Sequence, residues 1–189
     1  MSIAVVLALN GIVAVAAFFC SLTGFGFALI ATPFLVLLFP PTVAVPLVLA
    51  SWVPLSVLLF LGSRREMSAR RIGNLLIGSA IGVPIGVYLL TNLGATPMRL
   101  AIGSFTLLAA LALVLRPIRP LGRERTLCFV GGLLGGVSGG ATAMSGPPVV
   151  FVGLSQGWEP RGFRADLIGF FSIVHICVLL LLHTTGNFD

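Results

Sequence analysis

The chain has 189 residues, 58% hydrophobic and 8% charged, with a mean hydropathy of +1.15 and a formal net charge of +6. Soluble domains carry about 25% charged residues, so this composition excludes one. It implies a single polytopic membrane domain whose helices each need about 20 apolar residues. Every basic residue is Arg, and all but Arg99 sit in short connections between apolar runs, so orientation in a lipid bilayer accounts for the basic balance and nucleic acid does not.

The start, Met1-Ser2-Ile3-Ala4, has no basic n-region and does not read as a cleaved signal peptide. The apolar runs are continuous, without the alternating segments of about ten residues that mark a β-barrel, so the fold class is all-α. The first run, Ile3 to Phe39, is interrupted at Thr23-Gly24-Phe25-Gly26 and closed by Pro40-Pro41. As one helix it would be about 55 Å long, too long for a single span of about 30 Å. It therefore predicts two segments folded at the glycines, the second crossing part-way.

A segment from Val43 to Gly62 carries Pro46, Ser51, Trp52 and Pro54. The loop Ser63 to Arg71 follows, with four Arg and Glu66. The span Ile72 to Leu93 places Gly78, Gly82 and Gly86 on one face, a pattern for close helix packing. The turn Gly94-Ala95-Thr96-Pro97 leads to a span from Met98 to Leu115, and a second Arg-rich loop covers Arg116 to Arg125. A second interrupted run extends from Thr126 to Leu154, and after the connection Gln156 to Arg164 the last span covers Ala165 to His183. Cys20, Cys128 and Cys177 have no metal-binding spacing and read as packing residues. Neither a metal nor a cofactor is expected.

The second interruption is rich in small residues, from Gly135-Gly136-Val137-Ser138-Gly139-Gly140 to Ser145-Gly146-Pro147-Pro148. Glycine costs about 1 kcal/mol and proline about 3 kcal/mol in a helix interior, so the cluster predicts a break. For any one glycine, close helix packing is the plainer reading. The stretch Thr23 to Pro33 aligns with Ser138 to Pro148 at a constant offset of 115. Paired interruptions in two halves point to a transport site. If each broken run forms a hairpin, residues 1–115 supply five segments and residues 116–189 supply three. An odd count makes the second repeat inverted and incomplete. The positive-inside rule then puts loops 63–71 and 116–125, with Arg161 and Arg164, at the cytoplasmic face of a multi-pass cell-membrane protein. If each run crosses once, Arg161 and Arg164 move outside.

Gly135 to Phe151, with Gly157-Trp158 and Phe163-Arg164-Ala165 behind it, resembles the second half of the sulfite exporter TauE/SafE family. Gly24-Phe25-Gly26, Pro33-Phe34-Leu35 and Pro41-Thr42-Val43-Ala44-Val45 resemble its first half. The resemblance covers essentially the whole chain. It implies a membrane permease of two related halves that moves small sulfur-containing anions such as sulfite, sulfonates or sulfoacetate. Family members usually run longer, so the chain is expected to be a fragment, a naturally short member, or one that completes itself as a homodimer.

An anion carrier needs donors without a fixed charge, and helix N-termini supply them. The expected site joins the backbone amides of Gly24-Phe25-Gly26 and Gly139-Gly140-Ala141. The hydroxyls of Thr23, Ser138, Thr142 and Ser145 add donors, and Pro33 and Pro148 hold the breaks. Arg164 reads either as an interfacial anchor or as an anion-attracting mouth, and Trp158 as an interface anchor. His175 is the one ionisable group well inside a span, so it is a candidate for proton coupling, although a neutral hydrogen-bonded His is the plainer reading. Two rivals remain. Gly136-Val137-Ser138-Gly139 with His175 resembles a serine–histidine pair of an intramembrane protease, and an accessory membrane subunit would need no site.

Overall fold

The computed structural model describes residues 3–114 and 122–184. Arg116 and Arg119 of the second Arg-rich loop, and the tail after Thr184, lie outside the described residues. Within them the chain is all-α: α1 (Ile3–Thr23), α2 (Phe27–Leu38), α3 (Pro41–Ser63), α4 (Ala69–Asn92), α5 (Ala95–Val114), α6 (Glu124–Thr142), α7 (Gly146–Ser155) and α8 (Pro160–Thr184). Helices α1, α3, α4, α5 and α8 are long and apolar enough to cross a membrane. With 12 and 10 residues, α2 and α7 reach only about 18 and 15 Å, roughly half a bilayer core. The two expected folded runs are therefore α1–α2 and α6–α7, each a full-length helix followed by a short one.

The first break lies where the sequence places it. Gly24 and Gly26 have φ of 81° and 93°, a left-handed conformation that glycine adopts without Cβ strain. The second break does not. Gly135, Gly136, Gly139 and Gly140 lie inside the continuous α6, and the chain turns only at Ala143-Met144-Ser145. Ala143 has φ 63°. Register shifts accordingly: Thr23 and Thr142 end their helices, Phe27 and Gly146 open the short ones, and Pro41 and Pro160 open the third, all at an offset of 119 rather than 115.

The glycines of α6 are taken up by packing. A Cβ at Gly132, Gly136 or Gly140 would run into the backbone of α4 at Leu75, Ser79 or Val83. A Cβ at Gly78, Gly82 or Gly86 would meet the backbone of α6 at Phe129, Leu133 or Val137. The two helices run parallel and interlock through small residues every fourth position, which lets their backbones touch. A second stripe, Gly131, Gly135 and Gly139, makes room for α7, because a Cβ there would meet Val152, Val149 or Ser145.

Helix directions follow from one polar cluster. The Ser68 amide at the start of α4 donates to Asp166 of α8, and Arg71 of α4 pairs with Glu124, the first residue of α6. Arg164 of α8 reaches Ser21 near the end of α1. Helices α1 and α3 thus run toward this face, and α6 and α8 run away from it. The two three-helix sets, α1–α3 and α6–α8, point in opposite directions.

The interlock yields a direct test. Gly82→Ala should cost about 1–3 kcal/mol through overpacking and lower the melting temperature in detergent micelles. Gly103→Ala on α5, where nothing lies within 4 Å of a new Cβ, should leave it unchanged. Equal melting temperatures would show that α4 and α6 are not in backbone contact.

Candidate functional site

The two breaks are built alike. The Gly24 amide donates to the Cys20 carbonyl at 2.7 Å, and the Ala143 amide donates to the Gly139 carbonyl at 2.9 Å. In each case a left-handed residue closes the last helical turn. Thr23 Oγ1 accepts from the Phe25 amide at 3.4 Å, and Thr142 Oγ1 accepts from the Met144 amide at 3.2 Å. These two threonines therefore serve the turns themselves. Ser138 likewise donates into its own helix, to the Leu134 carbonyl at 2.8 Å.

Beyond the breaks, the N-termini of α2 and α7 open onto one small cavity of about 20 Å³, room for about one water. The first helix-closing bond of α2 is Ile30 N–H to the Gly26 carbonyl, so the amides of Phe27, Ala28 and Leu29 lie ahead of the helical ladder. In α7, Pro147 and Pro148 have no N–H to offer, which leaves the Gly146 amide. Trp52 and His175, near the midpoints of α3 and α8, complete the wall with Ser145 and Phe171.

Two polar atoms at this cavity lack partners. Trp52 and His175 are 2% and 6% exposed, and Trp52 Nε1 and His175 Nδ1 have no hydrogen-bond partner among the described residues. A buried unpaired donor costs about 1–3 kcal/mol, so such a pair marks a place where a ligand or water belongs. His175 Nε2 meets Ser145 Oγ at 3.2 Å. Its ring stacks on Phe171 with centroids 5.8 Å apart and stands edge-on to Trp52 at 6.0 Å.

Of the expected site residues, the structure brings Phe25, Gly26, Ser145 and His175 to the cavity. Thr23, Gly24, Ser138, Gly139, Gly140, Ala141 and Thr142 shape the breaks or pack the helices around it. The amides of Gly139, Gly140 and Ala141 fall within α6, where the helical ladder uses them, so they cannot be the expected donors. Pro33 lies inside α2 and Pro148 in the first turn of α7, beyond the turns they were expected to hold. Trp52 and Phe171 were not foreseen as site residues. The signal for Trp52 was an indole N–H in mid-span, and Phe171 stands one helical turn before His175.

Arg164 belongs to the polar face. Its Nη2 donates to the Ser21 carbonyl at 2.6 Å, one of the acceptors left over at the end of α1. There it also meets the negative end of the helix dipole. Beside it, Asp166 is fully buried and accepts from the Ser68 amide at 2.6 Å and from Arg71 at 3.4 Å. Trp158 is buried as well, donates to Glu124 at 2.9 Å, and lies under the Arg71 guanidinium, so it clamps helices together rather than anchoring in lipid. Glu159, just before α8, accepts from the Gly162 amide. The Gly162 and Arg161 amides hold its carboxyl below the usual range.

A family model described as sulfite exporter TauE/SafE matches residues 9–189. A Cupriavidus necator protein named "Probable sulfite/organosulfonate exporter TauE" is 28% identical over 190 residues, covering 97% of this chain and 74% of that protein. No solved structure matches.

Asp166 gives the polar face its test. Asp166→Ala leaves the Ser68 amide without an acceptor, while Arg71, whose side chain is 31% exposed, keeps Glu124. The expected loss is about 3 kcal/mol, the low end for breaking a buried pair, read from unfolding in micelles. A loss under about 1 kcal/mol would place the pair with ordinary surface salt bridges.

Proposed function

Because the chain belongs to the sulfite exporter TauE/SafE family, we propose that it is a secondary carrier of small sulfur-containing anions, sulfite or an organosulfonate such as sulfoacetate. The observation that carries this reading is the cavity between the two broken hairpins. It gathers the N-termini of α2 and α7, the Ser145 hydroxyl and the unpartnered Trp52 and His175 nitrogens. These groups bind an oxyanion by hydrogen bonds and helix-end dipoles. None holds a fixed positive charge, so the anion can leave as well as enter. Discontinuous helices whose N-termini point at an anionic group are a recurring solution in secondary transporters.

The opposed directions of α1–α3 and α6–α8 support a pair of inverted repeats around this site. The clustering of Arg161 and Arg164 with Ser63 and Glu66 supports the hairpin topology, in which the arginine-rich face is cytoplasmic by the positive-inside rule. The protease reading has lost its geometry. Ser138 turns into its own helix, and the serine that meets His175 is Ser145.

Liposomes containing the chain should show saturable flux of labelled sulfite and of a small sulfonate. Trp52→Phe keeps a ring but removes the donor. A hydrogen bond to a charged partner contributes about 1.5–3 kcal/mol, so KM should rise about tenfold or more with insertion intact. An unchanged KM in the variant would remove the cavity as the site, and no flux from the wild-type chain would remove the carrier reading.

A further inference from the structure

We propose that one proton travels with each anion, held on His175 in the cavity. This rests on the carrier reading above and names its coupling ion.

Charge sets the requirement. A sulfonate is fully ionised, and amide, indole and hydroxyl dipoles stabilise its charge without cancelling it. Moving an uncompensated ion through a low-dielectric interior costs several kcal/mol even after relaxation. Among the described residues lining the cavity, His175 is the only side chain that can become positive. The other titratable group on the wall is Cys20 of α1, whose ionised form is negative and so has the wrong sign. Helices α2, α3 and α7 bring Phe27, Trp52 and Ser145 and no charged group. On α8 itself, Asp166 lies about 13 Å along the axis from His175 and Arg164 about 16 Å, and both are engaged on the polar face.

The geometry of His175 suits the task. Nε2 has Ser145 Oγ, which can donate to the neutral ring and accept from the protonated one. Nδ1 has no partner among the described residues, so a protonated ring has an N–H available for an anion. The Phe171 ring, stacked 5.8 Å away at 10°, presents the face that attracts a cation. Stoichiometry follows from the offset of 119 between the helix sets. It pairs His175 with Ser56 and Ser145 with Gly26, so the first half supplies no second base. For a singly charged sulfonate the loaded site, imidazolium plus anion, is neutral. The proton joins the ring as the anion enters and leaves with it on the far side, and no covalent bond is made or broken.

The test uses methanesulfonate, which stays ionised through the working range and so cannot carry the proton itself. Proteoliposomes are loaded with a pH-sensitive dye, and labelled methanesulfonate is supplied outside. The expected result is internal acidification at one proton per sulfonate, with a flux that does not respond to an imposed potassium diffusion potential. Saturable flux with no proton movement, driven by the potential, would overturn the proposal and leave the carrier reading standing. No saturable flux from the wild-type chain would remove both. His175→Gln should lose the proton movement, and a variant that still moves one proton per sulfonate would overturn the assignment.

A second reading needs no transport. In a Trp158→Phe background, Trp52 emission should be quenched as the neighbouring ring is protonated, and methanesulfonate should raise the midpoint of that quench by at least one pH unit. A midpoint that ignores the sulfonate would overturn the proposal.

Discussion

The fold depends on how the backbone polar groups freed at the two helix breaks are satisfied. Lipid offers no hydrogen bonds, so every amide and carbonyl freed by a break must be met by protein or by a water-filled cavity. Both breaks meet the demand with the same small set of parts. A left-handed residue returns its amide to the preceding turn, and a threonine hydroxyl accepts the amide two residues on. At the first break the Ser21 carbonyl is also left over, and Arg164 arrives from α8 to donate to it. With the turns satisfied from within, the amides at the starts of α2 and α7 are left facing the cavity. On the proposed reading, the anion site uses the donors that this structural requirement leaves over.

Much of this was legible in the sequence. The length of the Ile3 to Phe39 run forces a fold at the glycines, and Gly78, Gly82 and Gly86 announce a close helix contact. What misled was the glycine run in α6. Glycine marks both a helix that must bend and a helix that must be approached closely, and composition does not distinguish them. The partner decides. Gly132, Gly136 and Gly140 face the backbone of α4, while Gly131, Gly135 and Gly139 face α7. Two stripes on one helix produce a dense cluster that reads, in one dimension, as a breakdown of the helix. The actual break is at Ala143, a residue whose type gives no hint of a positive φ.

The same packing explains the misplaced register. The glycine stripes repeat every four residues, and 115 differs from the observed 119 by four. Sliding the second half by one stripe interval sets Gly24 against Gly139 instead of Ala143, and matches small residue to small residue. Identity therefore favoured the wrong alignment, while helix boundaries and cap bonds fix the right one. The cavity was hidden for a related reason. Trp52 and His175 are distant in sequence and meet only when α3 and α8 pack antiparallel across the two hairpins.

With the register corrected, the two halves are alike in backbone and unlike in chemistry. The end of the first helix and the starts of the second and third superpose in sequence at 119, yet Trp52 answers to Phe171, Ser56 to His175 and Gly26 to Ser145. Each half contributes one short-helix N-terminus, but the side-chain donors are divided: the indole from the first, the imidazole and hydroxyl from the second. A symmetric backbone suits a carrier, because two opposed hairpins can rock about a fixed site. Asymmetric side chains suit a single small ligand, because two identical sets of donors would bind two. Every Arg at described positions lies elsewhere, with Arg164 and Arg71 committed to helix ends and carboxylates on the polar face. On the proposed reading, a guanidinium in the cavity would hold the anion in both orientations of the carrier. A site of dipoles and one titratable ring then keeps binding reversible, while the strong charges fix the helices that form the cavity.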